Sequence, residues 1–316
     1  MARLIHDYGV SLITSTADLY VIIDGRSNIG EYLVTATEIV QKFLKITSLA
    51  HGNWNEWVFV SVYQHGTGSF ICADLRSPIT NASQGFPLTD TRRASIFIQE
   101  AWKGYSNTLT KHHGFDYALE WYVETSSSIL EIKYLNAVTA LELLMTYYYR
   151  HNETKFDRGS DFNQFYQKAK SQFDQTLDSS NIDKERVGRL KNFFSNMNQP
   201  DSPTKARKLI EHWGILTGDL EITQEKKRDI VDKIFDIRNE ITHSGRYNGR
   251  GKDTHPLETL TKAYSALFSI LTRIFLAMLK YTDSYRDMSR KGEFVELSKV
   301  CTSIRALVEQ NKLSNS

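Results

Sequence analysis

Beyond about residue 92 the apolar residues recur at spacings of three and four, the period of one helical face, and the strand signal almost vanishes. Helices are expected at about 92–110, 115–128, 130–150, 160–177, 183–195, 203–213, 224–243 and 255–285. In the 130–150 segment, Tyr134, Val138, Leu141, Met145 and Tyr148 step by four, three, four and three. In the 255–285 segment, Leu260, Tyr264, Leu267, Leu271, Ile274, Met278 and Tyr281 keep the same alternation. Such a seam suits another helix, in this chain or across a dimer interface. The tail from Lys291 predicts one more helix that frays after Gln310.

Before residue 86 the pattern is mixed. Asp18–Asp24 and Glu31–Thr35 predict short strands, and Glu56–Gln64 with Ser69–Leu75 predicts a second pair around His65-Gly-Thr-Gly68. Between the pairs, Ile39, Val40, Phe43, Leu44 and Ile46 give residues 36–50 a helical period. So few strands leave open edges. They either pack on the later helices or continue a domain whose first part is missing. Residues 76–91 concentrate Pro, Gly, Ser, Thr and Asn and mark a boundary. The expected fold is therefore mainly α: a small mixed α/β domain over 1–85, then a helical domain over 86–316 with its core at about 92–285.

One segment joins this periodicity to chemistry. Ile230, Ile234, Ile237 and Ile241 form an apolar stripe, widened by Val231 and Phe235 and stopped by Ser244-Gly245. At about 100° per residue, Arg238 projects within roughly 40° of the stripe's centre and His243 about 140° further round. A guanidinium there stays charged and needs a partner. Either the last turn unwinds at His243, or a second copy completes the site. Arg-x4-His spacing alone is weak, since Arg207 to His212 and Arg250 to His255 share it. The former reads as a solvated helix face and the latter as a coincidence in a loop. Only the middle pair sets Arg in an apolar stripe, Asn239 beside it and His at a helix end.

A formal net charge of +2 gives no global basic field, so any nucleic-acid surface must be local. Cys72 and Cys301 lie far apart and suggest neither a disulfide framework nor a zinc site. The N-terminus lacks a signal-peptide pattern, and the apolar region 257–281 is interrupted by Lys262, Arg273 and Lys280. A reduced, cytoplasmic setting without a membrane span is expected. His112-His113 has no carboxylate or cysteine company, and no metal or cofactor is implied.

The run Ile237-Arg238-Asn239-Glu240-Ile241-Thr242-His243, with the helix before it, closely resembles the Arg-Asn-x3-His signature of HEPN domains, most of all their ApeA-like branch. Glu131–Leu144 resembles another helix of that branch, with Glu142 in its acidic position. More weakly, residues 40–52 resemble the mixed domain that precedes it. That domain is usually longer, so 1–85 reads as truncated or reduced. The resemblance implies a C-terminal HEPN-type helical bundle and a metal-independent endoribonuclease of bacterial defence. It would act on RNA, most often tRNA, as a homodimer with a composite active site. The N-terminal region is a candidate sensor of a phage-derived or other trigger. A catalytically silent HEPN module that binds RNA or a partner protein is the alternative.

These residue types suit that chemistry. RNA carries its own nucleophile, the 2′-OH, so an enzyme supplies proton transfer and positive charge on the phosphoryl transition state. Histidine, with an ordinary pKa of about 6.5, suits His243 to the first task. Arg238 can hold a phosphate in bidentate fashion. Asn239 can orient either group, and Glu142 is the expected partner of Arg238. After the motif, Arg246, Tyr247, Arg250 and Lys252 stand among glycines, where they could grip phosphates and stack a base. Tyr147-Tyr148-Tyr149 reads instead as a core helix reaching the surface.

Overall fold

The structure, a computed structural model, describes residues 3–5, 14–16, 29–52, 59–63, 70–75, 86–90, 92–111, 114–124, 129–151, 160–179, 183–196, 200–222, 229–249 and 253–314. Among them the chain is mainly helical. In order, the elements are β1 (Arg3–Ile5), β2 (Thr14–Thr16), α1 (Ile29–His51), β3 (Phe59–Tyr63), β4 (Phe70–Leu75), α2 (Ala94–Lys111), α3 (Gly114–Glu124) and α4 (Leu130–His151). They continue with α5 (Ser160–Asp178), α6 (Lys184–Asn196), α7 (Ser202–His212), α8 (Ile230–Ser244) and α9 (Pro256–Met278). The chain closes with β5 (Ser284–Asp287), a 3-10 turn at Met288–Arg290, β6 (Glu293–Glu296), α10 (Leu297–Val300) and α11 (Thr302–Ser314).

The strands form three separate antiparallel pairs, β1 with β2, β3 with β4, and β5 with β6. The second pair is the one the sequence predicts, with Phe59 opposite Leu75 and a bulge at Val62/Tyr63. Asp18–Asp24 lies outside the described residues. Glu31–Thr35 is not a strand: it belongs to the first turns of α1. Five residues cannot separate a period of two from one of 3.6, and here the helical period of residues 36–50 extends backwards.

The last turn of α1, with Ile46, Leu49 and Ala50, is buried in the same core as the later helices. Gly52, at φ 70°, stops the helix by donating to the Ser48 carbonyl at 2.8 Å. The chain 86–90 then passes close by. The Leu88 amide donates to Ala50 O and its carbonyl accepts from the Arg286 amide, both at 2.8 Å, so one short segment ties α1 to β5.

Helix α9 is the centre of this core, packed by α2, α3, α4, α8 and α10. Its four-three seam is buried within the chain from Leu260 to Met278, so these residues do not form an outward-facing dimer surface. Tyr122 stacks on Phe268 at 4.4 Å, and Phe115 meets Phe275 edge-on at 5.2 Å. Among the described residues α9 is the one helix long and apolar enough to cross a membrane, and it lies mostly buried. It ends seven residues before the expected 285. Lys280 adopts φ 52°, and Tyr281 turns into the core beside Phe97.

Beyond that break, β5 joins α9 in a buried polar network. Arg273, fully buried in α9, donates to Asp219 at 2.8 and 2.7 Å, to Asp287 at 2.9 Å and to the Tyr285 hydroxyl at 3.1 Å. Asp287 also accepts from Ser269, Ser289 and Tyr285. Burial alone would raise its carboxyl, but the Arg273 charge and the hydroxyl donors hold it at about 2. This network fixes β5 against α9, and β5 in turn pairs with β6 through the backbone. Residues 293–296, expected as the start of a tail helix, are therefore strand, and the helical tail runs from Leu297 to Ser314 with a break at Cys301.

Candidate functional site

Helix α8 begins where Asp229 accepts from the Val231 amide at 3.1 Å, and residues 224–228 of the expected helix lie outside the described set. Its stripe of Val231, Ile234, Phe235, Ile237 and Ile241 is buried, as the pattern requires. The helix stays regular to Ser244 and closes on Gly245, whose φ of 76° lets its amide reach Ile241 O at 2.8 Å. The last turn does not unwind at His243, which is exposed on an intact terminal turn.

Two contacts aim the helix. The fully buried Tyr134 of α4 donates its hydroxyl to Ile234 O at 2.8 Å, one turn before Arg238. Arg207 of α7 pairs with Asp229 and Asp232, so it clamps the start of α8 and is not the merely solvated residue its spacing suggests. His212 is exposed, as that solvated-face reading expects. It packs on Tyr148 at 4.8 Å, and partial burial lowers its pKa. Of the other Arg-x4-His pair, Arg250 is outside the described residues, while the His255 amide donates to Asp253 at 2.9 Å.

Arg238 and Glu142 come together at 3.2 Å, each about one-third exposed. The guanidinium also donates to Asn239 Oδ1 at 3.1 Å, and the Arg238 carbonyl accepts from Thr242 at 2.8 Å. Arg238 and Asn239 line an open cleft of about 570 Å³ with Asp232, Phe235 and Asp236 of α8 and Asp201, Ser202 and Pro203 at the start of α7. The cleft carries three carboxylates. Asp232 answers Arg207, and Asp201 caps α7 by accepting from the Thr204 amide at 2.9 Å.

His243 is not among the residues that line the cleft, and among the described residues no hydrogen bond or ion pair joins it to Arg238. Their five-residue separation leaves the 140° offset in place on a regular helix. Asn239 relates them: His243 follows it by four residues, and helical side chains lean toward the N-terminus, so His243 extends the face of Asp232, Asp236 and Asn239 beyond the cleft's end.

The loop after the motif divides in two. Arg246 is exposed. Tyr247 is a core residue, 7% exposed, and its hydroxyl donates to Asp253 at 3.1 Å; it presents no face for a base to stack on. Burial, together with Asp253 beside it, pushes the Tyr247 phenol up. Arg250 and Lys252 lie outside the described residues, as does the His112-His113 pair. The sequence reading missed the Tyr134 hydroxyl, the Arg207 clamp and the acidic side of the cleft. The 232, 236, 239 periodicity carried the signal for the last of these.

Residues 110–297 match the YopA C-terminal domain family, more than half of the 316-residue chain. The chain belongs to that family. The matched span includes Glu142 and all of α8. No curated protein and no solved structure matches the chain.

Proposed function

We propose that this YopA C-terminal-domain protein is a metal-independent endoribonuclease of the HEPN type, similar to the ApeA-like branch, with a HEPN-type bundle built on α4, α8 and their neighbours. The observation that carries the reading is the Arg238–Glu142 ion pair, opened to a cleft and set in an Arg-Asn-x3-His run. A guanidinium one-third exposed and held by one carboxylate keeps donors for a phosphate.

In the proposed reaction the 2′-OH attacks the adjacent phosphorus and the P–O5′ bond breaks. The products are a 2′,3′-cyclic phosphate and a 5′-OH. Arg238 stabilises the phosphoryl charge, Asn239 orients the guanidinium, and His243 transfers a proton. One histidine serves one proton transfer at a time. A second copy of the chain, bringing its own His243 to the open side of the first cleft, supplies the other, and the unbroken last turn of α8 favours this route over local unwinding. RNA, most often tRNA, is the proposed substrate, in bacterial defence.

The test is cleavage of tRNA and single-stranded RNA by the purified protein, wild type against His243→Ala, with product ends identified. Cyclic phosphate ends and a loss of about 10²-fold or more in the variant are expected. A wild type that cuts no RNA, with or without its trigger, or a fully active variant, overturns the reading. The position of His243 outside the cleft favours one other function, a silent module that binds RNA or a partner protein. It predicts RNA retention without cleavage and unchanged retention in His243→Ala.

A further inference from the structure

We infer that Glu240, between the Asn and His of the motif, is a positioning residue that holds the substrate-binding loop against α8. The inference rests on the ribonuclease reading for its consequence, though not for its geometry. Glu240 Oε1 accepts from the Asn248 amide at 2.8 Å. The same residue's carbonyl lies 2.7 Å from the Ser244 hydroxyl, which lies 2.7 Å from Arg246 O as well and donates to one carbonyl at a time. With the left-handed turn at Gly245, these contacts fold the chain back along the helix it has just left. Tyr247, donating to Asp253, fastens the other side of the loop to the core.

The result is a short, doubly fixed reversal that leaves two side chains exposed near each other in sequence, His243 on the last turn and Arg246 just beyond the cap. Arg246 is a phosphate contact of the right kind, but on a loop its charge is useful only if its position is fixed beforehand. Asn248 is an exposed residue, so losing Glu240 leaves its amide to water and costs the fold little. What changes is the loop. Without the carboxylate, Gly245–Gly249 has one anchor fewer, and Arg246 samples positions away from an RNA backbone bound beside His243. The chemistry itself is untouched, so the effect falls on substrate binding.

Glutamine at 240 keeps an acceptor oxygen in the same place, and alanine does not. The experiment compares wild type, Glu240→Gln and Glu240→Ala as full chains. It measures cleavage kinetics, affinity for a short fluorescein-labelled single-stranded RNA, and hydrogen exchange at the Asn248 amide. Glu240→Ala should raise KM and RNA Kd about three- to tenfold with kcat unchanged, and lose protection at Asn248. Glu240→Gln should stay close to wild type in all three. A Glu240→Ala variant that loses protection but binds RNA as wild type does, or a Glu240→Gln variant as impaired as alanine, overturns the inference. If the wild type binds RNA without cutting it, the ribonuclease reading fails alone, and the order of the three affinities still decides the role of Glu240.

Discussion

Replacing Arg273 by methionine isolates the buried network from every other feature of the fold. Methionine fills much of the same volume without charge, so the cost is electrostatic and not a cavity. Asp287 is left fully buried without its cation, whereas Asp219 stays partly hydrated and keeps Arg290 at 2.9 Å. Breaking a buried pair from one side costs about 3–5 kcal/mol, and the hydroxyl donors that remain on Asp287 put this case near 3 kcal/mol. At about 1.4 kcal/mol per pKa unit, that raises the Asp287 carboxyl by roughly two units, back to its unfolded value of about 4. The pH dependence follows with its sign. In the wild type the folded value is about 2 against an ordinary 3.8, so Asp287 contributes stability above pH 4 that is lost as pH falls toward 2, about 2 kcal/mol in all. In Arg273→Met that contribution is absent at every pH. Urea unfolding at pH 7 and at pH 2.5 should therefore show the gap between the proteins narrowing by about 1.5 kcal/mol at the lower pH. Adding Asp287→Asn should recover stability at pH 7. A gap that stays constant with pH refutes the assignment of the cost to Asp287.

Three further substitutions probe packing and site separately. Tyr247→Phe removes the hydroxyl that donates to Asp253 and should cost about 1–2 kcal/mol in thermal unfolding; a surface tyrosine waiting for a base would show no change. Gly104→Ala would place a methyl carbon 1.8 Å from the Leu279 carbonyl oxygen, where α2 crosses the end of α9, and should cost about 3 kcal/mol or more; a variant within 1 kcal/mol of wild type by urea melts would mean the two backbones part easily. Glu142→Gln should leave stability within about 1 kcal/mol, since both members of the pair are one-third exposed, yet lower RNA cleavage about tenfold or more; equal activity would remove Glu142 from the site.

The helices were legible because their apolar period persists over many residues, and the boundaries of α2 to α7 fall within a few residues of the pattern. Where the reading failed, the deciding contacts were distant in sequence. Residues 293–296 are strand because β5 is held to α9 by Arg273 and Asp287, and nothing in the run Glu293-Phe-Val-Glu296 announces that. Yet one physical argument was applied to Arg238 and not to Arg273. A guanidinium in an apolar seam needs a carboxylate, and Glu142, singled out by the family resemblance, meets Arg238 across a hundred residues. Arg273 sits in a still more apolar seam, so the same rule demanded partners of the quality that Asp219 and Asp287 supply. The two arginines differ in what surrounds the pair. Arg273 is sealed, with two carboxylates and a tyrosine around it. Arg238 keeps one carboxylate, one amide and an open cleft. That incompleteness is what an arginine needs if a phosphate is to become its remaining partner. The apolar stripe fixes which face of α8 turns inward and so bears on Arg238, whereas His243 is exposed on another face of the helix, about which the stripe says nothing.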